Sequence, residues 1–206
     1  MTLNEQLGIR LATADDSQRI LDIYRPYVVD TAITFVSSIP SAADIALKMQ
    51  QVQKRYPYLV CTLEDRVVGF AYADEVRPHD AYRWNAELAI YLDGEYHRRG
   101  IATALYSALL QILRAQGFVN LYAVIGLPND PSIALHRHFG FTEVGVHEKT
   151  GFKLGEWRDV VWLWHRIEGA TDPALHGPPL LMAELRKNDI DTALNMAGAL
   201  LKGAMV

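Results

Sequence analysis

Residues 87–113 read ELAIYLDGEYHRRGIATALYSALLQIL, and this stretch contains the clearest structural pattern in the chain. Its first part, residues 88–92, is a short apolar run that predicts a β-strand. After a polar turn, apolar side chains recur at the spacing of one helical face, at Ile101, Leu105, Leu109 and Ile112. The stretch therefore predicts a strand that leads through a turn into an amphipathic helix.

The turn before this helix has the composition of an anion-binding loop. Gly100 lies where the chain enters the helix, and the missing Cβ lets a ligand approach the backbone closely. The first N–H groups of a helix have no partner within it, and the helix dipole makes that end positive. Arg98 and Arg99 add charge, so the loop predicts a phosphate or pyrophosphate site. The alternative is an ordinary loop with two solvated arginines.

The remaining apolar patterns place further elements around this unit. They predict strands at 9–12, 58–63, 67–73, 121–125, 141–147 and 159–164, and helices at about 13–28, 42–55 and 132–139. Pro26 is expected to break or bend the first helix near its end. The order β-α-α-β-β-β-α-β-α-β-β predicts an α/β protein with a mixed sheet flanked by helices.

Composition narrows the class of protein. Of 206 residues, 50% are hydrophobic and 21% are charged, which favours a packed core over disorder. The net charge of −4 argues against nonspecific nucleic-acid binding. The sequence lacks an apolar run long enough for a membrane span and a recognisable signal peptide. A single cysteine, Cys61, excludes an intrachain disulfide and is expected to be a buried thiol, so a cytoplasmic protein is predicted.

A change in composition divides the chain. Residues 168–179 are rich in glycine and proline and predict a linker, whereas residues 180–201 regain helical spacing. We therefore expect one domain at 1–168 and a linker with a helical tail at 169–206. A helix of this size is not expected to be stable alone, so it should pack on the domain or on a partner chain.

A second motif follows the predicted strand at 121–125. It reads LPNDPSIALH from Leu127 to His136, with Asn129 at the apex of a polar loop and His136 on a short helix. The amide of Asn129 offers both a donor and an acceptor. Taken alone, the pattern also fits a helix cap followed by a turn.

Together these motifs resemble the GNAT acetyltransferase superfamily. Its pyrophosphate loop has the pattern Q/R-x-x-G-x-G/A, and the chain has His97-Arg98-Arg99-Gly100-Ile101-Ala102, with His97 as the departure. Over residues 9–167 the chain is similar to the phosphinothricin N-acetyltransferase branch. The motifs that carry this similarity include Tyr56-Pro57-Tyr58-Leu59-Val60, Ala81-Tyr82-Arg83-Trp84, Gly151-Phe152-Lys153 and Gly155-Glu156-Trp157-Arg158-Asp159-Val160.

The resemblance implies the GNAT acyl-CoA N-acyltransferase fold, a mixed twisted sheet flanked by helices. It implies acetyl-CoA as co-substrate, no metal, and a homodimer. The residues expected to bind the cofactor are Ile90, Tyr91, Leu92, Arg98, Arg99, Gly100, Ile101, Ala102, Thr103 and Asn129.

The resemblance also assigns the chemistry to two residues. Glu87 matches the catalytic carboxylate, which takes a proton from the substrate ammonium so that the neutral amine can attack the thioester. His136 stands where the family commonly has a tyrosine, and an imidazole there can supply a proton to the leaving thiolate. Without a G-x-S-x-G or H-E-x-x-H motif, direct transfer in a ternary complex is expected. The alternatives are a solvated strand end at Glu87 and a structural histidine at 136.

The expected acceptor is the amine of a small amino acid or an analogue such as phosphinothricin or methionine sulfoximine. The matching substrate-contacting residues are Phe35, Arg77, His79 and Tyr82, and Arg77 and His79 would bind the anionic group. Two other functions stay open at this point. One is acetylation of a polyamine or a protein N-terminus, and the other is a non-catalytic acyl-CoA-binding module. Neither nucleic acid nor membrane is expected as a partner.

Overall fold

The computed structural model describes residues 7–169 and 177–203. Seven strands are present: β1 Leu7–Leu11, β2 Tyr58–Leu63, β3 Arg66–Asp74, β4 Asn85–Leu92, β5 Asn120–Gly126, β6 Thr142–Lys153 and β7 Glu156–Arg166. Five α-helices accompany them: α1 Ser17–Asp30, α2 Ala42–Val52, α3 Ile101–Gln116, α4 Asp130–His138 and α5 Lys187–Gly203. The element order predicted through β7 is confirmed.

All seven strands form one mixed sheet, in the order β1-β2-β3-β4-β5-β7-β6. Among the strands that the structure describes, only the β4–β5 pair is parallel, because α3 connects these strands, and the other neighbours are antiparallel. The predicted apolar face of α3 is buried in the core, with Leu105 and Leu109 fully covered. Cys61 on β2 is fully buried, as expected, and this burial raises its pKa to about 12.

The parallel pair separates soon after it forms. Its register comprises Asn85 with Asn120, Ala86 with Leu121, and Glu87 with Tyr122. β4 then continues to Leu92 with a partner in β3 but with no described pairing to β5. The two central strands therefore diverge and leave a cleft that begins beside Glu87.

The bounds of the last two strands and the end of α1 differ from the predicted ones. The strands predicted at 141–147 and 159–164 extend to form a long hairpin, with Leu154 and Gly155 in the turn at φ values of 56° and 80°. Positive φ at two consecutive turn positions suits the twist of a hairpin. Both strands are largely solvent-exposed here, so the sequence lacks the apolar alternation that marks a half-buried strand. Pro26 does not end α1, which continues to Asp30.

The C-terminal helix packs on the body of the protein. Ala193, Ala197 and Leu201 of α5 are buried within the main core, and the helix lies against α3 and β1. The apolar stripe predicted for the tail therefore packs against the domain of the same chain. Residues 170–176 of the predicted linker lie outside the described residues, as do 1–6 and 204–206.

The segment before α5 is held by hydrogen bonds to the end of α3 and the start of β4. Gln116, which is 2% exposed, donates from Nε2 to the carbonyl oxygens of Leu180 (2.8 Å) and Arg55 (2.7 Å). Trp84 Nε1 donates to the carbonyl oxygen of Gly177 at 3.0 Å. Within the described ranges, the chain contains no helix of sufficient length and hydropathy to cross a membrane.

Candidate active site

The cleft between β4 and β5 forms the centre of the candidate site. Because β3 occupies one edge of β4, backbone groups on the other edge of residues 88–92 face this cleft. Ile90, Tyr91 and Leu92 all lie on this part of β4, and each is half-buried. An extended ligand arm can enter here and pair with backbone donors and acceptors of the strand, as an added strand does.

The arginine–glycine loop lies at the far end of this cleft. Gly100 caps α3 with φ 75° and ψ −4°, a left-handed conformation that favours glycine. Arg98 also has a positive φ of 59°, so the loop turns tightly before the helix. The first-turn residues Ile101, Ala102 and Thr103 follow at once, and their N–H groups precede the first in-helix acceptor. The geometry is that of an anion site at a helix N-terminus.

The side chains of this loop differ in their surroundings. Arg98 and Arg99 are exposed, and the Arg99 guanidinium lies 5.2 Å from the ring centroid of Tyr96. His97 Nε2 lies 3.2 Å from the hydroxyl of Tyr27, which donates to the carbonyl oxygen of Leu92 at 2.6 Å. His97, which replaces the Gln or Arg of the family pattern, therefore connects the loop to α1 and to the end of β4 through Tyr27.

Asn129 caps α4. Its Oδ1 accepts from the backbone N–H of Ser132 at 3.3 Å. This contact is the helix cap considered in the sequence analysis, and it leaves the amide N–H₂ group for other partners. A contact of Asn129 with a cofactor stays a prediction.

Glu87 is the third residue of β4 and lies where the cleft opens. It is half-buried, with Asp74 directly opposite on β3 and Tyr122 opposite on β5. Burial raises the pKa of Glu87, the negative charge of Asp74 raises it further, and the Lys48 ammonium offsets part of the effect. A carboxylate with a raised pKa holds a proton more strongly, which suits a general base.

His136 lies inside the protein, with 2% of its surface exposed. Its Nδ1 is 2.7 Å from the carbonyl oxygen of Ser132, and its Nε2 is 2.7 Å from the hydroxyl of Tyr106. A carbonyl can only accept, so Nδ1 carries the proton and Nε2 accepts from Tyr106. Burial lowers the pKa of His136, and the hydrogen bond to Ser132 opposes this only in part. The imidazole is therefore neutral, and both of its nitrogens are occupied.

Phe35 lies at the other side of the cleft. Its ring covers the backbone of Gly151 on β6, where a Cβ would overlap the ring, and it also approaches Gly126 at the end of β5. Lys153 supports this loop by donating from Nζ to the carbonyl oxygen of Thr34 at 2.6 Å. Phe35 remains 40% exposed, so its ring is accessible to a small ligand.

The other expected acceptor residues belong to the loop between β3 and β4. Arg77, His79 and Tyr82 are all exposed. The rings of His79 and Tyr82 lie 6.5 Å apart, and Tyr82 N–H donates to the carbonyl oxygen of His79 at 2.9 Å. The loop therefore brings His79 and Tyr82 together, while Arg77 is presented to solvent.

Three residues beside the site were missed by the sequence analysis. Asp74 and Lys48 line a cavity of about 530 Å³ between α2 and the end of β3, and Tyr106 joins α3 to His136. Asp74 could have been found only from the strand pairing that sets it against Glu87. Within 7–169 and 177–203, His, Cys, Asp and Glu side chains form no group of three suited to a metal.

Comparison with known proteins gives a consistent result. A family model described as an acetyltransferase (GNAT) domain matches residues 9–162. A phosphinothricin N-acetyltransferase of Streptomyces viridochromogenes is 37% identical over 171 residues, which is 83% of this chain and 90% of that protein. An L-methionine sulfoximine/L-methionine sulfone acetyltransferase of Pseudomonas aeruginosa is 32% identical over 76% of this chain and 92% of its own length.

A solved structure agrees with these relatives. It is a GNAT superfamily phosphinothricin acetyltransferase from Sinorhizobium meliloti in complex with AcCoA. It superposes with a TM-score of 0.79 at 37% identity and covers 86% of this chain and 96% of its own.

Proposed function

Because the chain belongs to the GNAT family of acetyltransferases, we propose that it transfers the acetyl group of acetyl-CoA to the amine of a small amino acid or amino-acid analogue. One observation carries this proposal: Glu87 lies at one end of the β4–β5 cleft and the Arg98–Arg99–Gly100 loop lies at the other. The intervening strand residues span roughly 16 Å, which suits an extended pantetheine arm. The named relatives support both the co-substrate and the acceptor class.

In this proposal the chain's own backbone holds the cofactor. The pyrophosphate would accept hydrogen bonds from the N–H groups of Ile101, Ala102 and Thr103, with Arg98 and Arg99 supplying mobile positive charge. The pantetheine arm would lie along Ile90–Leu92, and the free amide of Asn129 would contact it from the opposite side. Support comes from the left-handed conformation of Gly100 and from the part of β4 that pairs with β3 but has no described pairing to β5.

The acceptor amine would be activated by Glu87. An ammonium gives its proton to the carboxylate, directly or through one water, and the neutral amine attacks the thioester carbon. The new C–N bond forms as the C–S bond breaks, the amide nitrogen gives its extra proton to the departing thiolate, and CoA leaves as the thiol. A backbone N–H of β4 would hold the carbonyl oxygen while negative charge develops on it. We propose direct transfer in a ternary complex.

For His136 the contacts favour a supporting role over the proton donation expected from the sequence. A neutral imidazole that donates to Ser132 and accepts from Tyr106 cannot also donate to a thiolate without losing a buried hydrogen bond. We propose that His136 fixes α4 against α3 and so keeps the second wall of the cleft in place.

The substrate loop should select for an anionic group. A free carboxylate can pair with Arg77 while the amine of the same molecule approaches Glu87, which also orients the nucleophile. We expect amino acids and analogues with a free carboxylate to exceed their amides by about 10- to 100-fold in kcat/KM, the worth of one charged hydrogen bond. This preference is measured by thiol release from acetyl-CoA. The acceptors compared are L-phosphinothricin, L-methionine sulfoximine, amino acids and their amides.

The same assay tests the role of Arg77 in binding the substrate carboxylate. Arg77→Ala should remove most of the preference for the carboxylate, mainly through KM, because the contact exists before and during attack. Arg66→Ala is the control, since Arg66 is an exposed arginine at the start of β3. Equal kcat/KM for a carboxylate substrate and its amide in the wild type would contradict the proposed selection.

One observation favours a second acceptor class. The cavity that Asp74 lines also carries Asp44 and Glu75, so its acidic side chains outnumber its two basic ones, Lys48 and Arg55, and would attract a polyamine or another polycation. Adding spermidine and a short peptide with a free N-terminus to the panel separates this alternative. Higher kcat/KM for spermidine than for every amino acid would decide in its favour.

We further propose that the protein is a homodimer, supported by the apolar surface of the β6–β7 hairpin. Phe152 and Trp157 are 63% and 59% exposed and form an edge-to-face pair with centroids 5.5 Å apart. Val144, Val146 and Leu154 extend this exposed apolar surface. Such a surface would be buried by a second copy related by two-fold symmetry.

Sedimentation at micromolar concentration tests this assembly. We expect a dimer for the wild type and a monomer for Phe152→Glu/Trp157→Glu, because two charges would be placed in the apolar contact. Met196→Glu is the matched control on the exposed face of α5, where Met196 is 52% exposed, and should remain dimeric. A wild-type monomer would refute the proposal.

A further inference from the structure

Asp74 and Glu87 form a cross-strand pair of carboxylates. They are direct partners in the antiparallel register of β3 and β4, so both side chains emerge on one face of the sheet. Directly opposed residues in such a ladder place their Cβ atoms about 5 Å apart. Two like charges this close interact strongly in a half-buried site.

Lys48 provides the balancing charge from α2. Its Nζ lies 3.4 Å from Asp74 Oδ2 and 3.4 Å from the hydroxyl of Tyr72, and it is 4.9 Å above the centroid of the Tyr72 ring. The ion pair places a positive charge next to the negative charge of Asp74. A tyrosine face adds cation–π attraction and holds the ammonium beside the carboxylate pair.

Three tyrosines around Glu87 are uncharged near neutral pH. Burial raises the pKa of Tyr72 on β3, Tyr122 on β5 and Tyr106 on α3, so all three phenols stay protonated. Asp44 and Arg55 on α2 and Glu75 after β3 line the cavity beyond Lys48 and Asp74. Among the described residues, the charges that act on Glu87 are therefore those of Asp74, its cross-strand partner, and of Lys48, which is paired with Asp74.

We propose that Asp74 and Lys48 are positioning residues that set the charge environment of Glu87 in opposite directions and thereby determine the pH range of its activity as a base. This inference deepens the proposed function and rests on the assignment of Glu87. Asp74 disfavours a second negative charge and so strengthens proton binding at Glu87. Lys48 favours that negative charge and weakens proton binding.

Removing each charge is expected to shift the titration midpoint of Glu87 in the opposite direction. Asp74→Asn removes the like charge, so the midpoint of Glu87 should fall by about one pH unit. Lys48→Met removes the opposite charge, so the midpoint should rise by about one pH unit. The double variant should lie between the two single variants. A role of either residue in packing alone would not produce shifts of opposite sign.

The measurement is carbon-13 NMR of the full chain labelled at glutamate carboxyl groups. Glu87→Gln assigns the signal, and each variant is first checked for a folded spectrum. Glu75→Gln is the control, because it removes a negative charge from the next residue, which is exposed and lies beyond the end of β3, where solvent screens it from Glu87. This variant should move the midpoint by much less than Asp74→Asn.

Thiol release with L-methionine sulfoximine as acceptor gives kcat/KM as a function of pH. The midpoint of the fall in kcat/KM at acidic pH should shift in the same direction as the NMR midpoint. Shifts of the same sign, or no shift in either single variant, overturn this inference even if Glu87→Gln is inactive. Opposed NMR shifts together with wild-type turnover in Glu87→Gln support the charge arrangement and instead overturn the base assignment of the proposed function. The two failures are therefore distinguishable.

Discussion

Replacing Glu87 with glutamine is expected to lower turnover by at least about 100-fold, the lower range for a positioned general base. The amide keeps the size of the side chain on β4 but cannot accept the ammonium proton. Acetyl-CoA affinity should stay near the wild-type value, since the anion loop lies at the other end of the cleft. Steady-state thiol release and calorimetry of acetyl-CoA binding measure the two quantities separately.

The expected loss has a specific control. Glu168→Gln changes an exposed carboxylate after β7 and should leave turnover unchanged. In the Glu87 variant, activity should fall across the whole pH range, and the acidic limb caused by Glu87 should disappear. Turnover equal to the wild type in Glu87→Gln would assign Glu87 a structural role and would require another base.

Gly100→Asp should weaken acetyl-CoA binding by about 100-fold, or roughly 2.7 kcal/mol. The backbone at Gly100 is left-handed, so any side chain introduces strain, and in the proposed binding mode the new Cβ would lie in the path of the pyrophosphate. A carboxylate there also repels the phosphate charges directly, by an amount that reaches several kcal/mol at contact distance. Calorimetry on the folded variant gives the change in Kd.

Two matched variants separate charge from shape in this loop. Gly100→Asn adds similar bulk at the same backbone position without the charge, so it should weaken binding less than Gly100→Asp. Gly94→Asp adds the same charge six residues earlier, where a Cβ meets open space, and should have the smallest effect. If Gly100→Asp binds acetyl-CoA with wild-type affinity, the cofactor must bind elsewhere.

The tail helix illustrates what helical spacing can predict. Its apolar periodicity indicated a helix, and α5 is present. The sequence left open whether this helix would pack on its own domain or on another chain. Burial of Ala193 and Ala197 against the core answers that question, because small side chains allow α5 to approach the body closely. The division into a domain at 1–168 and a tail at 169–206 stays a prediction.

His136 shows what a motif leaves open, and its catalytic role stays a prediction. Its position in the second motif indicated a catalytic group beside the cofactor. The structure surrounds the imidazole with Tyr106 of α3 and the carbonyl of Ser132, and both nitrogens are satisfied. Tyr106 lies 30 residues away in the chain, so no local spacing could have indicated this partner.

The sequence by itself determined the features that depend on neighbours in the chain: the order of strands and helices, the amphipathic face of α3, and the glycine at its N-terminus. Periodicity and backbone conformation encode these locally. Tertiary structure alone decided the divergence of β4 from β5, the pairing of Asp74 with Glu87, and the approach of Lys48. These features depend on the register between distant segments, where a shift of one residue would turn Asp74 to the opposite face.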